Sequence, residues 1–455
     1  MGEPSLIGAG VLQRNPFPGI RPYTSAEEKY FFGRDTTVKE VLESLLGNRF
    51  LALVGSSGSG KTSLIQSGII PALLTDEKQE WIPVTIRPGN KPVESLIRGF
   101  QQVFPKKLKE TDVQSFLAGT QSLGELINEK GLGSHNYYLV VDQFEELFRT
   151  GPSLKKNSKN PETARFVDLL VRAAKNDRPG IYVMLSIRSD FIDACSTYRS
   201  LTEQMNRSKY LLPQMSGESL TKAILGPIEQ AGASVEEGFV DLLLEDLDEV
   251  ETQLPMLQHA LMRTWDFWTQ HGNRDQPITI SDYKAIGTIK RALSDHLDEA
   301  YEELDEKQKE ICERLFKSIT SKSDKYNGFR RKASLGNLAR IAQCSLDEMA
   351  DVVEVFRIPG RSFLSPHTSV SLSSDSHIEL SHEALIRIWE RLSDWVDEED
   401  ESIRMYLRLS EASALYQQGR TELWTPPDLY LAQNWRDTQK PTPAWGVQYL
   451  SLIHI

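Results

Sequence analysis

A chain of 455 residues is too long for one ordinary hydrophobic core, and typical domain sizes predict about three domains. The 52 Lys and Arg against 64 Asp and Glu give a net charge of −12, so an overall basic footprint for nucleic acid or anionic lipid is excluded. The three cysteines are widely spaced and form no CxxC or Cys/His cluster, which argues against disulfides or a zinc site. The sequence has no apolar run of about 18 residues and no signal-like N-terminus, so the expected location is the cytoplasm, with no membrane span in this segment.

The first half of the chain predicts an α/β domain. Residues 1–30 are expected to form an extended arm, because Asn15-Pro-Phe-Pro-Gly-Ile-Arg-Pro22 contains three prolines that exclude a continuous helix. A helix over 36–46 follows, and then short apolar runs alternate with helical stretches. The runs predict buried strands at 50–54, 81–86, 137–142, 181–187 and 210–212. Residues 31–214 are therefore predicted to form a parallel sheet with helices on both faces.

The second half predicts mostly helices. Residues 215–285 contain helical stretches at 217–230, 238–247 and 254–269 with leucines at core spacing, which is typical of an all-α lid. Residues 286–396 predict a winged-helix domain with a leading helix, from helices at 286–304, 306–319, 335–342 and 346–356, a β-rich stretch at 363–380 and a closing helix at 384–396.

The C-terminal part is predicted to be a helical linker. An acidic run at 397–401 is expected to start an exposed linker covering residues 397–455, which stops before any sensor or effector domain. Residues 450–455 resemble a translated sequencing adapter, and a genuine short tail is the alternative.

The sequence from 55 to 62 is a complete G-x-x-x-x-G-K-[ST] phosphate loop, placed between an apolar strand and a helix. Its glycines let successive backbone N–H groups wrap an anion, its lysine neutralises phosphate oxygens, and its threonine offers a hydroxyl to Mg²⁺. The predicted nucleotide-binding residues here are Gly55, Ser56, Ser57, Gly58, Ser59, Gly60, Lys61, Thr62 and Ser63.

Two further strand ends carry charged residues. Asp142 ends an apolar strand and is predicted, with Thr62, to hold Mg²⁺; capping of the next helix is the alternative. Gln143 follows and cannot accept a proton, so either Glu145 or Glu146 is the candidate to polarise the attacking water. Arg188 ends another strand and is a candidate sensor of the γ-phosphate, unless it pairs locally with Asp190.

These blocks, taken together, resemble the novel STAND NTPases, a bacterial group within the STAND class of P-loop NTPases. The matching segments, between about residues 15 and 395, are Asn15-Pro-Phe-Pro-Gly-Ile-Arg-Pro22, Phe31-Phe-Gly-Arg34, the phosphate loop, Leu139-Val-Val-Asp142-Gln-Phe-Glu-Glu-Leu-Phe148, Ile187-Arg-Ser-Asp-Phe191, Gln253-Leu-Pro-Met-Leu-Gln-His259 and Leu380-Ser-His-Glu-Ala-Leu385. The resemblance implies an AAA-like core, a helical lid and a winged helix that close over one nucleotide.

The resemblance also implies roles for residues outside the phosphate loop. Gly33 and Arg34 would lie near the adenine, Pro255 would touch the nucleotide from the lid, and His382 would contact the β-phosphate from the winged helix. A plain turn, a helix start and a capping or core histidine are the respective structural alternatives.

By the same resemblance the chain is expected to be an ATP/ADP-binding switch in signal transduction, with antiviral or stress defence as one setting. Slow Mg²⁺-dependent ATP hydrolysis would control a closed-to-open transition, and an unknown protein or ligand trigger would start homo-oligomerisation. Gln143 stands where many related ATPases have an acid, which argues against fast turnover.

Two other functions use the same phosphate loop. A nucleic-acid-associated AAA-like ATPase would read DNA with the winged helix, but residues 345–356 contain four acids and no Lys or Arg, which would repel phosphates. A small-molecule kinase needs a basic acceptor-binding lid, and residues 215–270 instead show a leucine-rich core pattern.

Overall fold

The computed structural model describes residues 14–75, 79–119, 121–149, 160–175, 180–250, 253–272, 275–323 and 326–450. The chain divides into two compact units. One is the continuous segment Pro22–Ser234; the other combines residues up to Arg21 with those from Val235 onward. Among the described helices, none combines the length and hydropathy needed to cross a membrane.

The first unit is built on a five-stranded sheet in which every pair of neighbouring strands is parallel. The strand order is β2-β3-β4-β1-β5, so β4 separates β1 from β3. Parallel strands need crossover helices, which bury both sheet faces and explain the nearly continuous apolar runs. The strands are β1 (Phe50–Gly55), β2 (Trp81–Ile86), β3 (Asn136–Val141), β4 (Gly180–Arg188) and β5 (Lys209–Leu211).

The side chains of β1 alternate between two apolar clusters. Phe50, Ala52 and Val54 pack in one cluster, whereas Leu51 and Leu53 pack in the other. The helices that cover the sheet or follow it are α1 (Asp35–Asn48), α2 (Lys61–Ser63), α3 (Ile70–Leu74), α4 (Pro92–Val103), α5 (Glu110–Ala118), α6 (Leu123–Glu129), α7 (Glu146–Arg149), α8 (Pro161–Lys175), α9 (Ile192–Cys195), α10 (Arg199–Arg207) and α11 (Gly217–Gln230). The predicted parallel α/β core is therefore confirmed.

The helix that follows the phosphate loop is not uniformly α-helical. A π-helical segment, Leu64–Ile69, joins α2 to α3. Residues of the N-terminal arm bind along this stretch: Ser67 Oγ donates to the Thr24 carbonyl at 2.8 Å, and Ser25 Oγ donates to the Gln66 carbonyl at 2.9 Å. This part of the arm thus packs on the helix that carries the phosphate loop.

The second unit is mainly helical and contains two small antiparallel sheets. Strands β8 (Ala333–Ser334), β9 (Leu364–Ser365) and β10 (His377–Leu380) pair in the order β8-β10-β9, and β6 (Thr320–Ser323) pairs with β7 (Tyr326–Arg330). The helices are α12 (Phe239–Asp248), α13 (Gln253–His271), α14 (Ile280–Ala285), α15 (Thr288–Glu302), α16 (Glu306–Ser318), α17 (Leu335–Ala342), α18 (Leu346–Arg357), α19 (Ala384–Ile388), α20 (Glu390–Gln417), α21 (Asp428–Gln439) and α22 (Pro443–Leu450).

The arm residues that belong to the second unit bind α13. Asn15 Nδ2 donates to the Met262 carbonyl at 2.9 Å and to Asp266 Oδ1 at 2.8 Å. Gly19 has a φ of 71°, and a Cβ atom there would lie 2.6 Å from the Met262 sulfur. Residues 1–13 of the predicted arm and residues 451–455 of the predicted tail lie outside the described residues.

The acidic run at 397–401, the predicted start of an exposed helical linker, has three exposed residues, Asp397, Glu398 and Glu401. The acidic run lies within the 28-residue helix α20. Its charges are matched by other parts of the second unit: Lys322 Nζ lies 2.7 Å from Asp397 and Lys317 Nζ lies 2.8 Å from Glu398. These two cations, distant in sequence, offset part of the negative charge of the run.

Candidate functional site

The phosphate loop is shaped by its glycines. Gly58 and Gly60 have φ values of 75° and 87°, which side-chain-bearing residues rarely adopt. At Gly55 a Cβ atom would lie 2.7 Å from Ser59 Oγ, so a larger residue would displace the Ser59 side chain. Ser59 Oγ donates to the Ser56 carbonyl at 2.9 Å and closes the loop. The result is a backbone cradle at the N-terminus of α2.

Lys61 is held inside the cradle. Its Nζ donates to the carbonyls of Gly55 at 2.9 Å and Ser56 at 2.8 Å. Burial lowers the pKa of Lys61, and the nearby carboxylates of Glu145 and Asp142 oppose that shift. The ammonium group therefore lies between the loop carbonyls and two acids that follow β3.

Asp142 lies beside Thr62. The Thr62 hydroxyl donates to the Asp142 carboxylate at 3.2 Å, and Asp142 is only 4% exposed. Arg87, directly after β2, places its Nε 3.9 Å from Asp142 Oδ2. A hydroxyl and a carboxylate at this spacing are oxygen ligands of the kind that Mg²⁺ binds.

Glu145 and Glu146 are both buried but are held by different strands. The Arg188 backbone N–H, at the end of β4, donates to Glu145 Oε2 at 3.3 Å. The Gly89 backbone N–H, after β2, donates to Glu146 Oε2 at 3.1 Å. Of the charges around Lys61, the Glu145 carboxylate contributes most against the lowering of the Lys61 pKa by burial. Of the two acids, Glu145 is therefore the one directed toward the phosphate loop.

Arg188 makes the local pair that the sequence left open. Its Nε and Nη2 donate to the two oxygens of Asp190 at 3.1 and 2.6 Å. The guanidinium also lies 5.8 Å from the centre of the Phe191 ring. Arg188 thus joins two features: its side chain pairs with Asp190, and its backbone holds Glu145.

The Gly33-Arg34 segment supports the phosphate loop. At Gly33 a Cβ atom would lie 2.3 Å from the Ser219 carbonyl oxygen of α11. Arg34 donates to the carbonyls of Pro213 at 2.8 Å and Ser59 at 3.3 Å, and burial lowers its pKa. Its side chain therefore links the phosphate loop to the segment between β5 and α11.

The sequence profile of the Novel STAND NTPase 1 family matches residues 16–422, most of the chain and all the site residues above. The protein belongs to this family. It is therefore a P-loop NTPase, and nucleotide binding, usually with Mg²⁺, is what membership implies.

Comparisons with other proteins give more distant matches. No curated protein matches this STAND NTPase. Among solved structures, Orc1 of Aeropyrum pernix in complex with DNA matches at 13% identity and a TM-score of 0.40, covering 80% of this chain and 93% of that one. Cdc6p of Pyrobaculum aerophilum matches at 15% identity and a TM-score of 0.40, covering 80% of this chain and 94% of that one. Drosophila ORC bound to DNA matches at 14% identity and a TM-score of 0.38, covering 86% of this chain and 95% of that one.

The site residues fit a Mg²⁺-bound nucleoside triphosphate. The glycine-shaped cradle presents N–H groups to phosphates, and the paired oxygens of Thr62 and Asp142 would hold Mg²⁺. The metal would neutralise charge on the phosphate oxygens. Ser63, also predicted to bind nucleotide, has its hydroxyl within 3.2 Å of the Tyr23 backbone N–H, from which it accepts a hydrogen bond.

Pro255 and His382 lie in the second unit of this STAND NTPase. Pro255 is half-buried in the first turn of α13, where proline is tolerated because the first N–H groups of a helix have no intrahelical partner. His382 Nδ1 accepts from the Ala384 backbone N–H at 3.1 Å, at the start of α19. Because Nδ1 is an acceptor, the neutral ring carries its proton on Nε2, which makes Nε2 a donor suited to a phosphate oxygen. Their contacts with nucleotide stay predictions.

Sequence reasoning missed Arg87. It follows an apolar strand in the same way as Arg188, and that signal was available. Its importance depends on β2 lying next to β3, which places the Arg87-Pro88-Gly89 turn against Asp142 and Glu146. Strand order is not visible in a single sequence.

Proposed function

We propose that this NTPase is a slow ATP/ADP switch in signal transduction, in which β4 reports whether a γ-phosphate is bound. The observation that carries the proposal is the double role of Arg188. Its side chain pairs with Asp190 while its backbone N–H binds Glu145. A γ-phosphate would compete with Asp190 for the guanidinium, and any movement of Arg188 would be transmitted to the acid beside the phosphate loop.

Glu145 is the proposed general base for hydrolysis. It is 5% exposed, its position is fixed by β4, and it lies near enough to Lys61 to oppose the shift in that residue's pKa. In this role Glu145 orients a water molecule toward the γ-phosphate and accepts its proton, while Lys61 stabilises the charge on the phosphate oxygens. Glu146, bound to the Gly89 backbone, would have a supporting role.

The proposed moving parts are the helical lid and a winged helix in the second unit. The order α16, β8, α17, α18, β9, β10, with a three-stranded antiparallel sheet, supports a winged helix. The chain passes between the two units at Arg21–Pro22 and Ser234–Val235. We infer that His382 binds the β-phosphate in an ADP-bound closed form, and that release opens the protein for homo-oligomerisation in response to a trigger, in a pathway such as defence.

The DNA-binding alternative receives little support from the arginines around α18. Arg330 Nη1 donates to the Leu380 carbonyl at 2.9 Å, Arg357 Nη2 donates to the His367 carbonyl at 2.7 Å, and Arg361 is 8% exposed and pairs with Glu303. Phosphate contacts require accessible cations, and these three are used within the unit. Salt-sensitive binding to duplex DNA would favour this alternative over the switch.

The test is nucleotide retention by the purified protein. We expect wild type to bind ADP and ATP, Lys61→Ala to lose both, and Asp142→Ala to lose the Mg²⁺-dependent part of the affinity and the turnover. His382→Ala should release ADP faster, with little effect on the initial binding of ATP. A wild-type protein that binds neither nucleotide would overturn the proposal, and equal ADP release from wild type and His382→Ala would remove the latch.

A further inference from the structure

The Arg87-Pro88-Gly89 turn is fastened to the segment that follows β3. The Asp142 backbone N–H donates to the Ile86 carbonyl at 2.9 Å, and the Gly89 N–H donates to Glu146 at 3.1 Å. On its other side, the Pro88 carbonyl accepts from Ser95 Oγ at 3.1 Å. These contacts keep the turn, and with it Arg87, beside the metal acid.

Gln143 completes this network. Its φ of 54° places the residue in the left-handed region. With the amide oriented to suit both neighbours, its nitrogen donates to Glu146 Oε1 at 3.2 Å and its oxygen accepts from Arg87 Nη2 at 3.3 Å. A carboxylate at position 143 would instead face the Glu146 carboxylate, and like charges at this distance repel. The amide in place of an acid is therefore explained by the arginine and the glutamate that it bridges.

Asp142 consequently has a cationic neighbour that belongs to the protein. Arg87 Nε lies 3.9 Å from Asp142 Oδ2; the aspartate side chain is 6% exposed and the arginine side chain 44% exposed. Lys61 also interacts electrostatically with Asp142. Mg²⁺ held by Asp142 and Thr62 would bring two further positive charges next to Arg87. Arg87 and Mg²⁺ are therefore alternative means of neutralising the same carboxylate.

We propose that Arg87 is a positioning residue that takes the place of Mg²⁺ beside Asp142, so that a nucleoside diphosphate can remain bound when the metal has left. With neither Mg²⁺ nor Arg87 beside it, the Asp142 carboxylate would repel the diphosphate. With Arg87 in place, that repulsion is offset and Mg²⁺ binding is opposed. The inference rests on the proposed nucleotide switch and adds a metal-independent diphosphate state to it.

Arg87 is proposed to strengthen metal-free diphosphate binding and to weaken Mg²⁺ binding, so binding measurements alone can test the proposal. In Arg87→Ala we expect ADP affinity in EDTA to fall about fivefold, because a half-exposed charge about 4 Å away acts through a partly aqueous medium. The Mg²⁺ concentration that half-saturates ADP binding should fall by a similar factor, since the competing cation is gone. Titration of a fluorescent ADP analogue in EDTA and in graded Mg²⁺ measures both.

Arg87→Lys keeps the charge and should stay close to wild type in both measurements, which would separate a charge effect from a packing effect. Arg98→Ala is the matched control, because Arg98 is 40% exposed, belongs to the same unit and pairs with Glu94 and Glu110 on a different surface. Melting temperatures show whether each variant is folded, and Arg87→Gln provides a second neutral variant.

An Arg87→Ala protein that loses ADP affinity equally in EDTA and in Mg²⁺, or that keeps wild-type behaviour in both, would overturn the inference while leaving the switch intact. Failure of the wild type to bind ADP at all would instead count against the proposed function. A variant that binds less ADP in EDTA and needs less Mg²⁺ would support both.

Discussion

At the scale of single residues, Glu145 and Glu146 show how two adjacent acids acquire different roles. Both are buried glutamates, but Glu145 accepts a hydrogen bond from a backbone N–H at the end of β4, whereas Glu146 accepts one from a backbone N–H after β2. Backbone hydrogen bonds from two different strands therefore direct the carboxylates to different places.

This difference predicts different effects of neutralising each acid. Glu145→Gln keeps the shape and the hydrogen-bond acceptor but removes the base, so we expect ATP turnover to fall about a hundredfold or more while ATP affinity changes little. Glu146→Gln should retain most of the turnover. Phosphate release and fluorescent ATP binding, measured on both variants, test the assignment. The reverse order of turnover loss would transfer the role to Glu146.

At the scale of elements, one residue in the acidic part of α20 is buried and forms specific hydrogen bonds. Glu399 is 7% exposed and accepts from Trp445 Nε1 at 2.7 Å and from the Tyr449 hydroxyl at 2.6 Å. Burial and the adjacent Glu399 carboxylate raise the pKa of Tyr449. One carboxylate thus ties α22 to α20.

Removing this carboxylate leaves two buried donors without their acceptor. We expect Glu399→Ala to lower the free energy of unfolding by about 2–4 kcal/mol, because each unpaired buried donor costs about 1–3 kcal/mol and the effects overlap. Glu401→Ala, an exposed position on the same helix, is the control and should change it by less than about 0.5 kcal/mol. Similar urea midpoints for both variants would contradict this account.

The accuracy of the predictions made from the sequence also differs from one element to another. The strand from 50 to 55 was predicted well because all of its residues are buried, which gives a continuous apolar run. The strand from 81 to 86 was also found, although it lies at the sheet edge and Thr85 is exposed. The ion pairs of the acidic run in α20 could not be predicted, because partners such as Lys322 are distant in sequence. The choice between Glu145 and Glu146, and the place of Arg87, depend on strand order, which local patterns do not contain.

At the scale of the whole molecule, the second unit contains a buried histidine pair that makes its stability depend on pH. His259 Nε2 and His296 Nδ1 lie 3.1 Å apart, with the Phe363 ring against them. Burial lowers the pKa of His259 to about 3; burial and, next, the His259 ring lower that of His296 to about 2. Both rings are therefore neutral in the folded protein at physiological pH.

The direction in which stability changes with pH is set by the unfolded chain, because there both rings take up protons near pH 6.5. Stability from the pair is fully present above that pH and is lost as the pH falls toward the folded values, at about 2 kcal/mol per ring between pH 7 and pH 5. Chemical unfolding at several pH values should show that the free energy of unfolding falls steeply with decreasing pH in wild type and less steeply in the His259→Leu/His296→Leu variant. His377→Gln, at an exposed position, should keep the wild-type slope; an unchanged slope in the double variant would contradict the prediction.

The N-terminal arm bears on the order in which the protein is made. Asn15 finds its partners on α13 at Met262 and Asp266, about 250 positions later in the chain. The entire segment Pro22–Ser234 is synthesised between them. The parallel-sheet unit therefore leaves the ribosome before Asn15 has its partners, whereas Thr24 and Ser25 already have theirs on the helix after the phosphate loop. The Asn15 end of the arm can bind only after α13 has emerged, as a late step of maturation on the nascent chain.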